Sequence, residues 1–171
     1  MHHMSDEDID QIMNAKKGEA FTHRLGKLVK VDEVNRAWKS GDLNRMLKAI
    51  NLKTHLLDRH LILMAIVRET YKKREKPDHR KLCKKVAVLH INEFKTIAPA
   101  LRYDLNGVLP RVSTFQHLAT LLTEDKRFQD AVRVCQIALK YELKDGTMSG
   151  FQGRINPILK KQQKFEQTGS H

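Results

Sequence analysis

Four groups of residues in this 171-residue chain have types and spacings that suit chemistry. His79 and Cys83 stand one helical turn apart and offer two ligands to a metal. A structural zinc needs four, and no second pair follows at a suitable spacing. His90 and Glu93, three apart, would share a helix face as an imidazole and a carboxylate. A di-iron bundle needs the order Glu-x-x-His with repeated inward acids, and that order is absent. Gly146, Gly150 and Gly153 are spaced as an anion loop might be, but no Lys-Ser or Lys-Thr follows them. Turn formation and helix termination explain them better. The chain has no HExxH, nucleophile elbow, CxxC or phosphate-cradling loop. The reading is of a non-enzymatic protein without metal or cofactor.

The fourth group is basic. Lys72-Lys73-Arg74-Glu75-Lys76 and Arg80-Lys81-Leu82-Cys83-Lys84-Lys85 flank one turn. Packed as an antiparallel pair, their helices gather Lys72, Lys73, Arg74, Lys76 and Arg80 at one end. Such a cluster reads in two ways. It is either a site for an acidic partner such as phosphate, nucleic acid or a carboxylate-rich protein, or a solvated helix end. Only Tyr71 is aromatic nearby, which argues against a stacking platform for single strands.

The formal charge of +12 is unevenly spread. Residues 55–102 hold twelve Lys or Arg against five Asp or Glu, whereas residues 103–150 hold six of each. The last twenty-one residues add four against one, and the first fifty-four ten against eight. At 40% hydrophobic and 30% charged residues, the composition is that of a soluble globular protein. The longest apolar run, Leu61 to Val67, is far short of the roughly 20 residues that span a bilayer, so no membrane partner is expected. Cys83 and Cys135 lie alone on apolar helix faces, where free cysteines are buried and inert. A cytoplasmic setting follows as the default. Met1-His2-His3-Met4 reads as an expression remnant, and the acids after it are unlike a signal peptide.

The elements that position these groups are helical. Phe115, Leu118, Leu121 and Leu122 mark one amphipathic helix, and Ala131, Val134, Cys135, Ala138 and Leu139 mark a second. Thr123-Glu124-Asp125-Lys126-Arg127 is a short connection suited to antiparallel neighbours. Upstream, Leu61 through Tyr71 and Leu82 through Phe94 form another pair, which Pro99 is expected to end. Ser5 with Asp6, Glu7 and Asp8 starts a helix through Ile9, Ile12 and Met13. Asp32 to Ser40-Gly41 and Asp42 to Ile50 make two more, with Trp38 in the core. Downstream, Phe151, Ile155, Ile158 and Leu159 suit a capping helix, short or kinked because of Pro157.

Within residues 112–145, counted from Val112, the large and small positions follow the 34-residue pattern W-x2-L-G-x2-Y, then A, F, A and P. Phe115, Leu118-Ala119, Leu122, Ala131, Cys135 and Ala138 match in type, and Leu143 replaces the proline. The segment resembles a tetratricopeptide repeat. A degenerate copy starts at Leu61, with Met64, Val67 and Tyr71 in place, Arg68 at a small-residue site, and three extra residues in the turn before Cys83. The resemblance implies an all-α, short α-solenoid of antiparallel helix pairs over residues 55–171, with a C-terminal cap and basic tail. Residues 1–54 form an N-terminal helical region.

The resemblance also implies a partner protein or peptide held along the first helix of each repeat. By position, the groove residues are Ser113, Gln116, Thr120 and Thr123, then Glu69 and Lys72 with Lys73 beside them. Family members that clamp a peptide carboxylate use lysine and asparagine where this chain has Gln116 and Thr120, so that specialised activity does not carry over. The expected function is an interaction scaffold for an acidic segment. The competing class is a nucleic-acid accessory protein holding phosphates on the 55–85 surface, with binding that falls steeply with salt.

Overall fold

A computed structural model describes residues 4–169; Met1, His2 and His3, three of the four residues read as an expression remnant, lie outside them. Among the described residues the chain is mostly helical, with one small two-stranded sheet. Helix α1 (Asp6–Met13) starts on a capping box. Ser5 Oγ accepts from the Asp8 N–H at 3.1 Å, and the Asp8 carboxylate accepts from the Ser5 N–H at 2.9 Å. Strands β1 (Phe21–Arg24) and β2 (Lys27–Lys30) pair antiparallel, Phe21 opposite Lys30 and Arg24 opposite Lys27. The two residues between them, Leu25 (φ 53°) and Gly26 (φ 76°), are both left-handed, as a two-residue I′ hairpin turn requires.

This hairpin corrects the expectation of an all-helical N-terminal region. Its strands are four residues long and half-buried on both faces, so they lack the clean alternation that announces a strand.

Helices α2 (Glu33–Ser40) and α3 (Leu43–Ala49) are defined by their caps. Asp32 accepts from the Asn35 N–H at 2.8 Å, Asp42 from the Arg45 N–H at 3.0 Å, and Gly41 (φ 69°) ends α2 in the left-handed conformation. Helix α4 (Leu56–Tyr71) lies at the centre. Leu57, Ile62, Leu63, Ala65, Ile66 and Val67 are buried around much of its circumference, against α2, α3, α5 and α6.

Helix α5 (Pro77–Asp104) is about 42 Å long at 1.5 Å per residue. It does not end at Pro99, contrary to the sequence expectation. The proline removes the bond to the Lys95 carbonyl, but Lys95 and Pro99 are both exposed, so water can take that carbonyl. Ile97 and Ala98 before the proline and Leu101 after it, all buried, hold the helix to the core across the break.

Helices α6 (Ser113–Glu124) and α7 (Phe128–Lys140) form the expected hairpin. Lys126 (φ 63°) closes the turn, where the Arg127 N–H reaches the Leu122 carbonyl at 2.8 Å. Ala119, Ala131 and Ala138 are buried where the backbones approach, with Phe115, Leu118, Leu122 and Cys135 beside them. Ala131→Leu is expected to overpack that contact and cost about 1–3 kcal/mol, measured as a lower urea midpoint at unchanged slope.

The capping helix α8 (Gly150–Thr168) runs nineteen residues through Pro157 and packs on α7. Of the short or kinked helix expected, this length excludes only the short form. Phe151 and Ile158 are buried and Ile155 partly so, whereas Leu159 faces outward. No helix among the described residues is long and apolar enough to cross a membrane.

Two buried polar groups tie these elements together. Asp58, on α4, accepts from Arg24 (3.1 and 2.8 Å), Asn35 (3.0 Å) and Trp38 (3.0 Å), joining the β-hairpin and α2 to the core. Despite burial, these donors hold its carboxyl below the usual range. His60, His90 and Thr114 form a chain across α4, α5 and α6. His60 Nδ1 lies 2.8 Å from His90 Nε2, and His90 Nδ1 lies 2.7 Å from Thr114 Oγ1.

Candidate partner-binding cleft

A cleft of about 630 Å³ opens between α6 and α8. Ala119, Thr120 and Thr123 supply the α6 wall. The α8 wall comes from Gly153, Arg154, Pro157, Ile158, Lys161, Lys164, Phe165 and Thr168, whose three- and four-residue spacing marks one helix face. Lys126 and Phe128 close the end at the α6–α7 turn. Gly153 is required here, because a Cβ would collide with the Ser149 side chain.

The floor is apolar and the rim is mostly basic; its carboxylate, Glu124, is already paired with Arg74 and Arg80. The rings of Phe128 and Phe165 lie 5.9 Å apart, and the Lys126 ammonium sits 5.1 Å from the Phe165 ring centre. Lys126, Lys161 and Lys164 are exposed and make no ion pair among the described residues. Arg154 is committed elsewhere. It pairs with buried Asp145, whose carboxyl is drawn down to about 2, against the cost of burial, by Thr147 and by Arg154 itself. Thr120 and Thr123 donate their hydroxyl protons to Gln116 and Ala119 carbonyls at 2.9 and 2.7 Å. Their oxygens therefore face the cleft as acceptors.

Thr120 and Thr123 were legible by repeat position and do line this cleft. Ser113 and Gln116, half-buried nearer the start of α6, do not. Beside Gln116, His117 stacks on Tyr71 at 3.9 Å between ring centres, and the Arg74 guanidinium covers the same tyrosine at 4.2 Å. Burial, with Arg74, Arg154 and Arg68 nearby, pushes the His117 imidazole down to about 4, so it is neutral.

Half of the basic cluster around the α4–α5 turn is paired with neighbouring carboxylates. Arg74 pairs with Glu124 at 3.0 Å. Arg80 bridges Glu124 (3.2 Å) and Asp125 (2.8 Å), and Lys84 joins Asp125 at 2.5 Å. Glu69 holds Lys72 at 2.9 Å and lies 3.7 Å from Arg68. Lys73, Lys76, Lys81 and Lys85 remain exposed, with no ion pair among the described residues. Arg74, Arg80 and Lys84 tie the α4–α5 turn and α5 to the α6–α7 turn.

The candidate chemical groups are structural. Cys83 is fully buried, 3.5 Å from the Val67 carbonyl, and burial raises its thiol pKa. It does not face a ligand with His79. Cys135 is likewise buried, its thiol pushed up to about 11. His90 points into the core, while Glu93 forms a two-pronged pair with Arg59 at 3.0 Å, so the two do not act together. No cluster of three His, Cys, Asp or Glu is placed to hold a metal among the described residues. Gly146 (φ 87°) and Gly150 (φ 60°) serve the turn before α8, with the Arg111 guanidinium packed against Gly146.

The sequence reading missed the α8 contribution, Lys161, Lys164 and Phe165. The signal was present in their three- and four-residue spacing, which places them on one face of any helix that continues through Pro157. These features define a mostly helical protein with a basic, apolar-floored cleft between two neighbouring helices. No protein-family model matches the chain, and no curated protein or solved structure is significantly similar to it.

Proposed function

We propose that the chain is a non-enzymatic interaction scaffold, a short tetratricopeptide-like α-solenoid that holds an acidic partner segment in the α6–α8 cleft. The observation that carries the reading is the pairing of an apolar floor, Phe128, Ile158 and Phe165, with the exposed cations Lys126, Lys161 and Lys164. In repeat terms α4, α6 and α8 are successive first helices, the ones that line a groove in this architecture. Two unpaired, buried thiols suit a cytoplasmic setting. The competing phosphate-binding role on the 55–85 surface is less favoured, because Arg74, Arg80 and Lys84 are already neutralised by Glu124 and Asp125.

Fluorescence anisotropy with a labelled amphipathic peptide, glutamates flanking a leucine stripe, tests the reading. Lys161→Glu with Lys164→Glu is expected to weaken binding about tenfold, each charge reversal contributing on the order of 0.7 kcal/mol. Lys72→Glu with Lys73→Glu should change it little. If the second pair abolishes binding and the first does not, the partner sits on the α4–α5 surface instead. Binding of a random DNA duplex in preference to the peptide, with a steep loss in salt, would favour the phosphate role.

A further inference from the structure

Helix α1 is lightly held: Asp8 meets His23 and the Leu28 backbone of the β-hairpin. It buries none of its residues, and only Asp8 is even half-covered. Ile9 (45% exposed), Ile12 (41%) and Met13 (78%) recur at i, i+3 and i+4 and form one apolar stripe. Asp6 and Asp10 flank that stripe on one side and Asp8 on the other, with Glu7 behind, and α1 has no Lys or Arg. The helix is fixed in shape by its capping box, so its apolar stripe is preorganised.

The α6–α8 cleft is the complement of that helix in both respects. Apolar side chains line its floor where α1 has isoleucine and methionine, and lysines rim it where α1 has carboxylates. Eight residues of helix span about 12 Å, and the cleft wall from Gly153 to Thr168 about 22 Å, so the length suffices. We propose that the occupant of the cleft is α1 of a second copy of this chain, which rests on the cleft being a binding site for an acidic segment.

The packing order makes the contact intermolecular. After α1, Glu19 accepts from the Lys16 N–H at 3.1 Å and pairs with Lys30 at 2.6 Å, which ties the connecting turn to the β-hairpin. The hairpin is anchored by Arg24 to Asp58 on α4. From there α4 packs on α6, α6 on α7 and α7 on α8, and no residue of α1 lines the cleft of its own chain. One copy thus offers its acidic helix apart from its basic cleft. Such a contact is heterologous and propagates head to tail unless a ring closes.

Sedimentation velocity of the full chain over a concentration series tests this. The average mass is expected to rise with concentration and to fall back toward the monomer as salt is added, since the rim contacts are exposed ion pairs. Ile12→Glu with Met13→Glu on α1, and separately Lys161→Glu with Lys164→Glu in the cleft, should each give a monomer with unchanged helical circular dichroism. An equimolar mixture of the two variants retains one intact helix and one intact cleft, and should stop at a dimer.

In parallel, a labelled peptide covering residues 4–15 should bind the wild-type chain and bind the cleft variant about tenfold more weakly. A wild-type chain that stays monomeric at every concentration, or self-association untouched by both variants, overturns the proposal. If the residues 4–15 peptide fails while an unrelated acidic amphipathic peptide binds the cleft, self-docking is wrong and the scaffold reading stands. If neither peptide binds, both are wrong.

Discussion

Asp58→Ala is expected to destabilise the protein by about 3–5 kcal/mol, because it breaks a buried ion pair and strands the partners left behind. Asp58 is almost fully buried and receives four hydrogen bonds from three side chains. Its removal leaves the Arg24 guanidinium without a counter-charge in a largely covered position, and the Trp38 and Asn35 donors unsatisfied. The variant should show a lower urea midpoint with a similar slope. The β-hairpin, which Arg24 pins to α4, should lose hydrogen-exchange protection before the α6–α7 pair does. Asp58→Asn keeps an acceptor for Trp38 but loses the charge, so it should fall between wild type and alanine. An alanine variant as stable as wild type would mean that the cluster does not hold the hairpin.

The second large effect is acid lability. Burial, with no compensating carboxylate, pushes His60 down to about 4 and His90 to about 3, against about 6.5 for an exposed imidazole. As pH falls below 6.5 the unfolded chain takes up protons at these two imidazoles, and at His117, that the folded chain refuses. The unfolded state then binds more protons, so stability falls with falling pH. The stability is fully present above pH 6.5 and is lost progressively until the folded imidazoles titrate near pH 4 and 3. At about 1.4 kcal/mol per pKa unit, the loss from His60 and His90 together is on the order of 8 kcal/mol. Asp58 and Asp145, both with depressed pKa values, lose their contributions further into acid, below the ordinary carboxylate range near 3.8.

The hydrogen-bond chain sharpens this expectation. His60 Nδ1, His90 Nε2, His90 Nδ1 and Thr114 Oγ1 can share protons with one imidazolium, but two would set donor against donor. His90→Gln removes one of these three titrations. It should flatten the pH dependence between 6.5 and 3, whatever it does to stability at pH 7. Urea midpoints across that range check it; an unchanged slope of stability with pH in the variant would assign the acid lability elsewhere.

Much of the fold was legible because the deciding signals are local. Asp32, Gly41 and Asp42 announce their caps by type and position, and the alanines at 119, 131 and 138 announce the close approach of α6 and α7. Where the expectation failed, a distant contact decided. Pro99 would end an isolated helix, yet Ile97, Ala98 and Leu101 find the core and carry α5 on to Asp104. The hairpin at Phe21–Lys30 owes its place to Arg24 reaching Asp58, thirty-four residues away.

The candidate site was legible only in part, for the same reason. Thr120 and Thr123 follow from the spacing within α6. That Arg74, Arg80 and Lys84 spend their charge on Glu124 and Asp125 does not, because those pairs join residues forty or more apart. The lysines that stay exposed beside an apolar floor lie on α8, beyond a proline that discourages reading the helix so far.

The central claim is that the α6–α8 cleft receives an acidic, amphipathic segment. Mapping amide chemical-shift changes while the amphipathic peptide of glutamates flanking a leucine stripe is added tests it most directly. The account predicts saturable changes clustered at Thr120, Thr123, Lys126, Lys161, Lys164 and Phe165, diminishing with salt. Changes centred on Lys72, Lys73 and Lys76, or no saturable change at all, would contradict it.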